Sequence, residues 1–318
     1  MRISVIIGTY NYGRFIEEAV DSVLAQDWKG GTLELIVVDD GSTDDTRQRL
    51  ARYGRAVHYL YQENAGQAAA FNAGFKASSG DIICFLDADD SWKPEKLRKT
   101  AEAFAADPGA GMVQHFMMDV SPDGSAMPQR LEVRRERYEL EDLLDGTASF
   151  TGTSGLAFRR SVLEKLMPVP AGLFYCADEY LYTTVLFHAG IRSVNEVLGL
   201  KKIHGANWFA GTIGDTRRLK NYIKVKTAII AEIDSRLAQA GLADRSPGLP
   251  LRLELARTKV LYLSRTGQRR KALGVVRDEV LTAPGVKRRF FLAATLALGA
   301  LSPAAYARLH AAYARLRS

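Results

Sequence analysis

Short apolar runs alternate with amphipathic stretches along the first hundred residues. Ile3-Ser4-Val5-Ile6-Ile7 has almost no polar interruption and reads as a strand buried on both faces. Phe15, Ala19, Val20, Val23 and Leu24 then recur at helical spacing. A strand at Leu35-Ile36-Val37-Val38, a helix starting near Asp44, a strand from Val57 to Tyr61 and a helix from Gln67 to Ala77 follow. Ile82-Ile83-Cys84-Phe85-Leu86 is the clearest strand, and Pro94 opens another helix. Apolar strands separated by helices predict an α/β fold with a mainly parallel, Rossmann-like sheet flanked by helices.

From Gly111 the pattern loosens. A strand is expected from Met112 to Asp119, then a turn at Ser121-Pro122-Asp123-Gly124 and a charged stretch to Asp145. Ser154 to Phe158 reads as a strand, Asp178 to His188 as a helix, and Ser193 to Val197 as a strand leading to His204. Beyond about residue 215 the reading is helical, with Ile223, Thr227, Ile230 and Ile233 on one face. These boundaries suggest a domain over residues 1–214 and a helical C-terminal region over 215–318.

With 318 residues, 47% of them hydrophobic, the chain can bury a sizeable core. Cys84 and Cys176 form neither a metal-ligand spacing nor a disulfide framework, and no secretory signal is read, so a cytoplasmic setting is expected. The net charge of +7 conceals an asymmetry: residues 1–210 carry 22 Lys+Arg against 29 Asp+Glu, and residues 211–318 carry 21 against 7. The front is therefore −7 and the tail +14.

Asp87-Ala88-Asp89-Asp90 directly follows the strongest strand. Ligands of open α/β sheets bind beyond the carboxyl ends of strands, and alternate carboxylates there could hold a divalent cation that bridges phosphates. The structural alternative is a polar loop in which Asp90 or Ser91 caps the next helix. Asp39-Asp40-Gly41-Ser42-Thr43-Asp44 also follows a strand, where a carboxylate can accept from a base or ribose and Ser42, Thr43 and Asp44 can cap a helix. In Gly8-Thr9-Tyr10-Asn11-Tyr12-Gly13, Tyr10 could stack on a nucleobase or simply pack. Asn64-Ala65-Gly66-Gln67 and Phe71-Asn72-Ala73-Gly74 frame one helix and are consistent with close helix-to-sheet packing.

Val5-Ile6-Ile7-Gly8-Thr9-Tyr10-Asn11, Val37 through Asp44, Asn64 through Gln67 and Phe85 through Asp90, in this order and spacing, resemble family 2 glycosyltransferases of the GT-A fold. Trp92, Pro94 and Leu97 continue the resemblance, which covers residues 3–100 well and 150–210 more weakly. It implies a donor site with Tyr10 and Asp40 on base and ribose, Thr9 and Ala88 beside them, and a divalent metal, Mn²⁺ or Mg²⁺, on Asp87 and Asp89. Ala177-Asp178-Glu179-Tyr180 looks like the acidic motif that supplies the general base, with Asp178 the first choice and Glu179 the second. Lys201-Lys202-Ile203-His204-Gly205 looks like the later basic-x-His-Gly segment, making His204 a further metal ligand or a diphosphate contact. Many relatives carry Arg where this chain has Phe71, so Lys201 or Lys202 would take over a phosphate contact.

The implied reaction is inverting transfer of a sugar from a UDP-linked donor to a hydroxyl of a glycan or lipid-linked glycan. The metal would act on the leaving diphosphate and one carboxylate would take the acceptor proton. Two rivals are a sugar nucleotidyltransferase, which would want a Gly-rich basic loop after the first strand, and a non-catalytic nucleotide-sugar-binding protein of the same fold. In the tail, Lys287-Arg288-Arg289 precede an apolar run from Phe290 to Leu301, too short to span a bilayer. Basic residues beside an apolar helix suit peripheral contact with an anionic membrane surface, with Phe290, Phe291, Leu292 and Leu296 entering the lipid. The alternative is a helix packed on protein. Nucleic acid is not expected as a partner, since no recognition motif accompanies the charge.

Overall fold

A computed structural model of the chain describes residues 1–205, 207, 215–282, 296, 297 and 300–302. They fall into two compact units, Met1–Leu143 with Ala148–His204, and Leu144–Thr147 with the chain from Gly205 onward.

The first unit is built on one sheet. Its strands are β1 (Arg2–Thr9), β2 (Thr32–Asp39), β3 (His58–Tyr61), β4 (Ile82–Asp87), β5 (Asp90–Trp92), β6 (Ala110–Val120), β7 (Arg137–Tyr138), β8 (Leu156–Arg159) and β9 (Gly190–Lys202). Their order is β3-β2-β1-β4-β8-β6-β9-β5, with β7 on β9. The first four run parallel. Beyond β4 the sheet is mixed: β8 is antiparallel to β4 and β6, β9 parallel to β6, and β5 antiparallel to β9.

The helices α1 (Gly13–Leu24), α2 (Thr46–Leu50), α3 (Gln67–Ala77), α4 (Lys96–Ala106), α5 (Leu140–Asp145), α6 (Arg160–Leu163) and α7 (Ala177–Thr184) connect these strands. β1 is mostly apolar because both its faces are covered. Ile3, Val5 and Ile7 share a core with Ile16, Ala19, Val20 and Val23 of α1 and Leu97 and Phe104 of α4. On the other face α3 comes so close that a Cβ on Gly74 would lie 2.4 Å from Ile6 Cγ2. Gly74 is thus the residue that permits this helix-to-sheet distance.

Several boundaries differ from the sequence reading. Asp90-Ser91-Trp92 caps no helix; it forms β5 against Gly199–Lys201, and all three residues are buried. The start of α4 is held instead by Gln26, whose Oε1 accepts from Leu97 N at 2.9 Å. Ser154 lies in a single 3₁₀ turn, Thr153–Gly155, and the strand begins at Leu156. The charged stretch, to which the sequence pattern assigned no element, contains β7 and α5.

The second unit holds α8 (Thr216–Gln239), α9 (Pro250–Arg265) and α10 (Arg269–Thr282). Asp215 caps α8, accepting from Arg217 N at 2.7 Å. The buried face of α8 is Leu219, Val225, Ile229, Ile230, Ile233 and Leu237, while Thr227 of the expected stripe is exposed. Lys226 is buried and paired with Glu254 of α9, Nζ to Oε2 2.9 Å. Leu296 and Ala300 are each 1% exposed and pack with Val260, Ala272 and Val276. This corrects the expectation for Leu296, which lies inside protein and cannot enter lipid in this arrangement. Lys287 to Leu292 and the stretch from Pro303 onward lie outside the described residues. Among the described residues no helix is long and apolar enough to cross a membrane.

Candidate active site

Strands β1, β2 and β4 end side by side, with Thr9 opposite Asp39 and Gly8 opposite Asp87. Each strand delivers a sequence-predicted segment to the same sheet edge, where ligands of open α/β sheets bind.

Asp87 closes β4, Asp90 opens β5, and Ala88-Asp89 form the turn between them. Ser154 ties this turn down: its Oγ donates to Asp90 Oδ2 at 2.6 Å and accepts from Asp87 N at 3.1 Å. Lys202 N donates to the other oxygen of Asp90 at 3.3 Å. The Asp90 side chain is therefore turned inward, leaving Asp87 and Asp89 as the carboxylates of the rim. His204 Nε2 lies 3.0 Å from Asp89 Oδ2, and its ring stacks on Phe15 with centroids 4.4 Å apart and meets the edge of Tyr12 at 5.9 Å.

The charges are crowded. Burial holds the Asp87 carboxyl well above the usual range, and Asp90, Asp89 and Asp178 push it further against the opposing charge of Lys201. Burial also pushes Asp90 up to about 7, with Asp89 adding to the shift. The Tyr12 phenol is raised to about 12 by burial and by Asp89 and Asp87. Carboxylate oxygens with one imidazole are a donor set for a hard or borderline divalent cation, so the residues fit Mg²⁺ or Mn²⁺. Among the described residues no three His, Cys, Asp or Glu side chains form a ready-made ligand cluster. The protein thus offers one or two carboxylates here, the arrangement in which a phosphate completes the shell.

Toward β1 and β2 lie the residues expected on the nucleotide. Tyr10 is 46% exposed, and Thr9 is buried with its Oγ1 unpartnered. Asp40 is buried and holds the next loop: Oδ1 accepts from Gln62 Nε2 at 2.6 Å and Ala65 N at 3.0 Å, and Oδ2 from Gly66 N at 2.7 Å. Asn11, at φ 58°, accepts from Thr43 N at 2.8 Å, which makes Ser42-Thr43-Asp44 a brace for the β1 loop. Lys202 carries its ammonium onto Glu18 and stays largely buried. Lys201 is the exposed member of the pair. Phe71 lies in the core, stacked on Phe85 at 4.3 Å, so its position faces the sheet and not the ligand edge.

The second acidic motif opens α7. Asp178 Oδ2 accepts from Thr153 N at 3.2 Å and Thr153 Oγ1 at 3.3 Å, and Oδ1 from Glu179 N at 2.9 Å. Burial raises the Asp178 pKa, and these hydrogen bonds oppose the rise. Its charge is felt at Asp87, which puts the two in one electrostatic neighbourhood. Glu179 is buried, at 6% exposed. Sequence reasoning missed Ser154, Thr153, Tyr12 and Glu18 as partners of the site. Thr153 and Ser154 sit in a short 3₁₀ turn that gives no periodic or spacing signal, and only the fold brings them to the acidic turn.

One 3₁₀ turn thus holds both acidic segments, Ser154 at the Asp-x-Asp turn and Thr153 at Asp178. The chain belongs to glycosyl transferase family 2, whose profile it matches over residues 4–167. An uncharacterized glycosyltransferase of Nostoc sp. is 37% identical over 215 residues, covering 65% of this chain and 66% of its own. The putative teichuronic acid biosynthesis glycosyltransferase TuaG of Bacillus subtilis is 33% identical over 191 residues, 58% of each chain. This chain therefore spans less than two thirds of the length of these relatives. Among solved structures, S. aureus TarS 1–349 superposes with a TM-score of 0.65 at 19% identity, over 94% of this chain and 87% of its own. The mannosyltransferase PcManGT from Pyrobaculum calidifontis, in complex with GDP-Man and Mn²⁺, has a TM-score of 0.57 at 21% identity, over 95% and 81%. At such identities the likeness is one of fold.

Proposed function

We propose that this chain is a metal-dependent inverting glycosyltransferase that moves a sugar from a UDP-linked donor to a hydroxyl of a glycan or lipid-linked glycan. The observation that carries the reading is that adjacent residues of one turn hold both acidic segments at the carboxyl end of the parallel strands: Ser154 accepts from Asp87 N, and Thr153 donates to Asp178. TarS has been solved with UDP and with UDP-GlcNAc, and PcManGT with GDP-Man and Mn²⁺, which supports a nucleotide-sugar donor and a divalent cation for this fold.

Tyr10 and Asp40 would meet base and ribose, with Thr9 and Ala88 lining the pocket. Asp89, Asp87 and His204 would hold the cation, which as a Lewis acid would offset the charge gathering on the leaving diphosphate. Asp178 takes the acceptor proton as the hydroxyl oxygen attacks the anomeric carbon and the bond to the diphosphate breaks. Its raised pKa makes it a better proton acceptor, while Thr153 and the Glu179 N–H hold the carboxylate in place. Attack from the side opposite the leaving group inverts the anomeric centre. The +14 region from residue 211 onward reads as an electrostatic contact with an anionic membrane surface, where a lipid-linked acceptor would reside.

Calorimetric titration of the protein with UDP and GDP, with and without Mn²⁺, tests the reading. Tight UDP binding that needs the cation is expected. Absence of nucleotide diphosphate binding under any condition would remove the donor assignment.

A further inference from the structure

The residue that closes the Asn64-Ala65-Gly66-Gln67 motif makes contacts that neither packing nor donor binding requires. Gln67 begins α3, but its side chain leaves its own helix. Its Oε1 accepts from Ala177 N at 2.9 Å, the first N–H of α7. Cys176, at the N-cap of α7 with φ 58°, supplies no side-chain cap of its own. Gln67 therefore fills that role from a distant strand-end loop. Its Nε2 donates to Thr153 Oγ1 at 3.4 Å, and that hydroxyl donates on to Asp178 Oδ2. Its backbone N–H donates to Phe174 O at 3.0 Å. One residue thus touches the loop before the acidic motif, the helix that carries it, and the threonine that grips its carboxylate.

The other end of the same loop is held by Asp40, through Ala65 N and Gly66 N. Gly66, at φ 89°, has no room for a side chain: a Cβ there would lie 2.6 Å from the Phe174 ring. The path Asp40, Gly66, Gln67, Thr153, Asp178 is continuous through hydrogen bonds and one peptide link.

We propose that Gln67 is a positioning residue for Asp178, fixing the carboxylate through Thr153 and the start of α7 from a loop that Asp40 holds. The inference rests on the reading of Asp178 as the base. Without Gln67 the first turn of α7 loses its cap and Thr153 loses its donor, so Asp178 leaves the line of proton transfer. A displacement of about 1 Å costs a reaction up to roughly 10²-fold.

The test measures kcat, donor Kd and thermal midpoint for Gln67→Ala, Thr153→Val and the double variant, with Asp178→Asn alongside. The expected result is a kcat lowered about tenfold or more in each single variant, donor Kd within about twofold, and a double variant no worse than the poorer single one. Gln67→Glu keeps the acceptor for Ala177 N and loses the donor to Thr153, so it should restore the thermal midpoint but not kcat. If Gln67→Ala fails to fold, Gln67→Glu and Thr153→Val carry the same test. Normal kcat in Gln67→Glu and Thr153→Val, with Asp178→Asn crippled, overturns the role of Gln67 alone. Full activity in Asp178→Asn overturns the base assignment and this inference together.

Discussion

His204 Nε2 lies 3.0 Å from Asp89 Oδ2, joining the end of β9 to the turn that follows β4. The imidazole is only 4% exposed, and the carboxylate 13%. Phe15 stacks on the ring and Tyr12 meets its edge, so the orientation of the histidine is set by packing before any ligand arrives. A histidine held this way either ligates the cation with Asp89 or orients that carboxylate.

His204→Ala should therefore weaken Mn²⁺-dependent UDP binding by about 10- to 100-fold, the range seen when a metal ligand or its supporting partner is lost. Titration calorimetry with and without the cation reads this directly. Unchanged cation dependence would detach His204 from the metal site.

For the base, Asp178→Asn should lower kcat by on the order of 10²–10⁴-fold while donor Kd stays near that of the parent. Glu179→Gln should act chiefly on stability, since Glu179 is buried. The opposite pattern, Glu179→Gln inactive and Asp178→Asn active, would exchange the two assignments.

The buried histidine of β6 gives a pH prediction free of the ligand site. Burial, with the charge of Lys96, lowers the His115 pKa from 6.5 to about 3, and its Nε2 has no partner. The unfolded chain takes up this proton first, so the contribution of His115 is full above pH 6.5 and is lost as pH falls toward 3. One such proton changes stability by about 1.4 kcal/mol per pH unit. Denaturant unfolding at several pH values should show a shallower acid-side decline for His115→Gln than for the parent. Equal slopes would mean that the imidazole is not a significant acid-labile group.

Vesicle sedimentation tests the basic region. The full chain should bind anionic vesicles and not neutral ones, at about 1 kcal/mol per basic residue near the surface. With Leu296 inside protein, salt should release most of the bound material. Indifference to lipid charge would leave the +14 as a solvated surface.

Much of the front of this fold is legible in the chain because the centres of β1, β2 and β4 are buried on both faces and therefore mostly apolar. The acidic turn is legible for the same reason, since Asp87 interrupts an apolar run at a strand end. β5 was hidden because Asp90-Ser91-Trp92 has the composition of a helix-capping loop, and its strand geometry comes only from pairing with β9. Gln67 was visible as part of a motif, but its bond to Ala177, 110 residues away, had no local signature. Lys201 or Lys202 is expected on phosphate because Phe71 stands where many relatives carry Arg; the ion pair of Lys202 with Glu18 has no signature in spacing.

The proposed activity is turnover of a nucleotide sugar at the Asp87–Asp89 turn. Its most direct test incubates the purified protein and Asp89→Asn with a panel of UDP- and GDP-sugars in Mn²⁺ or Mg²⁺, following release of nucleoside diphosphate. Cation-dependent release from a UDP-sugar is expected for the parent, stopped by chelator, with none above background from a folded Asp89→Asn. Release that persists undiminished in Asp89→Asn, or in excess chelator, would contradict it.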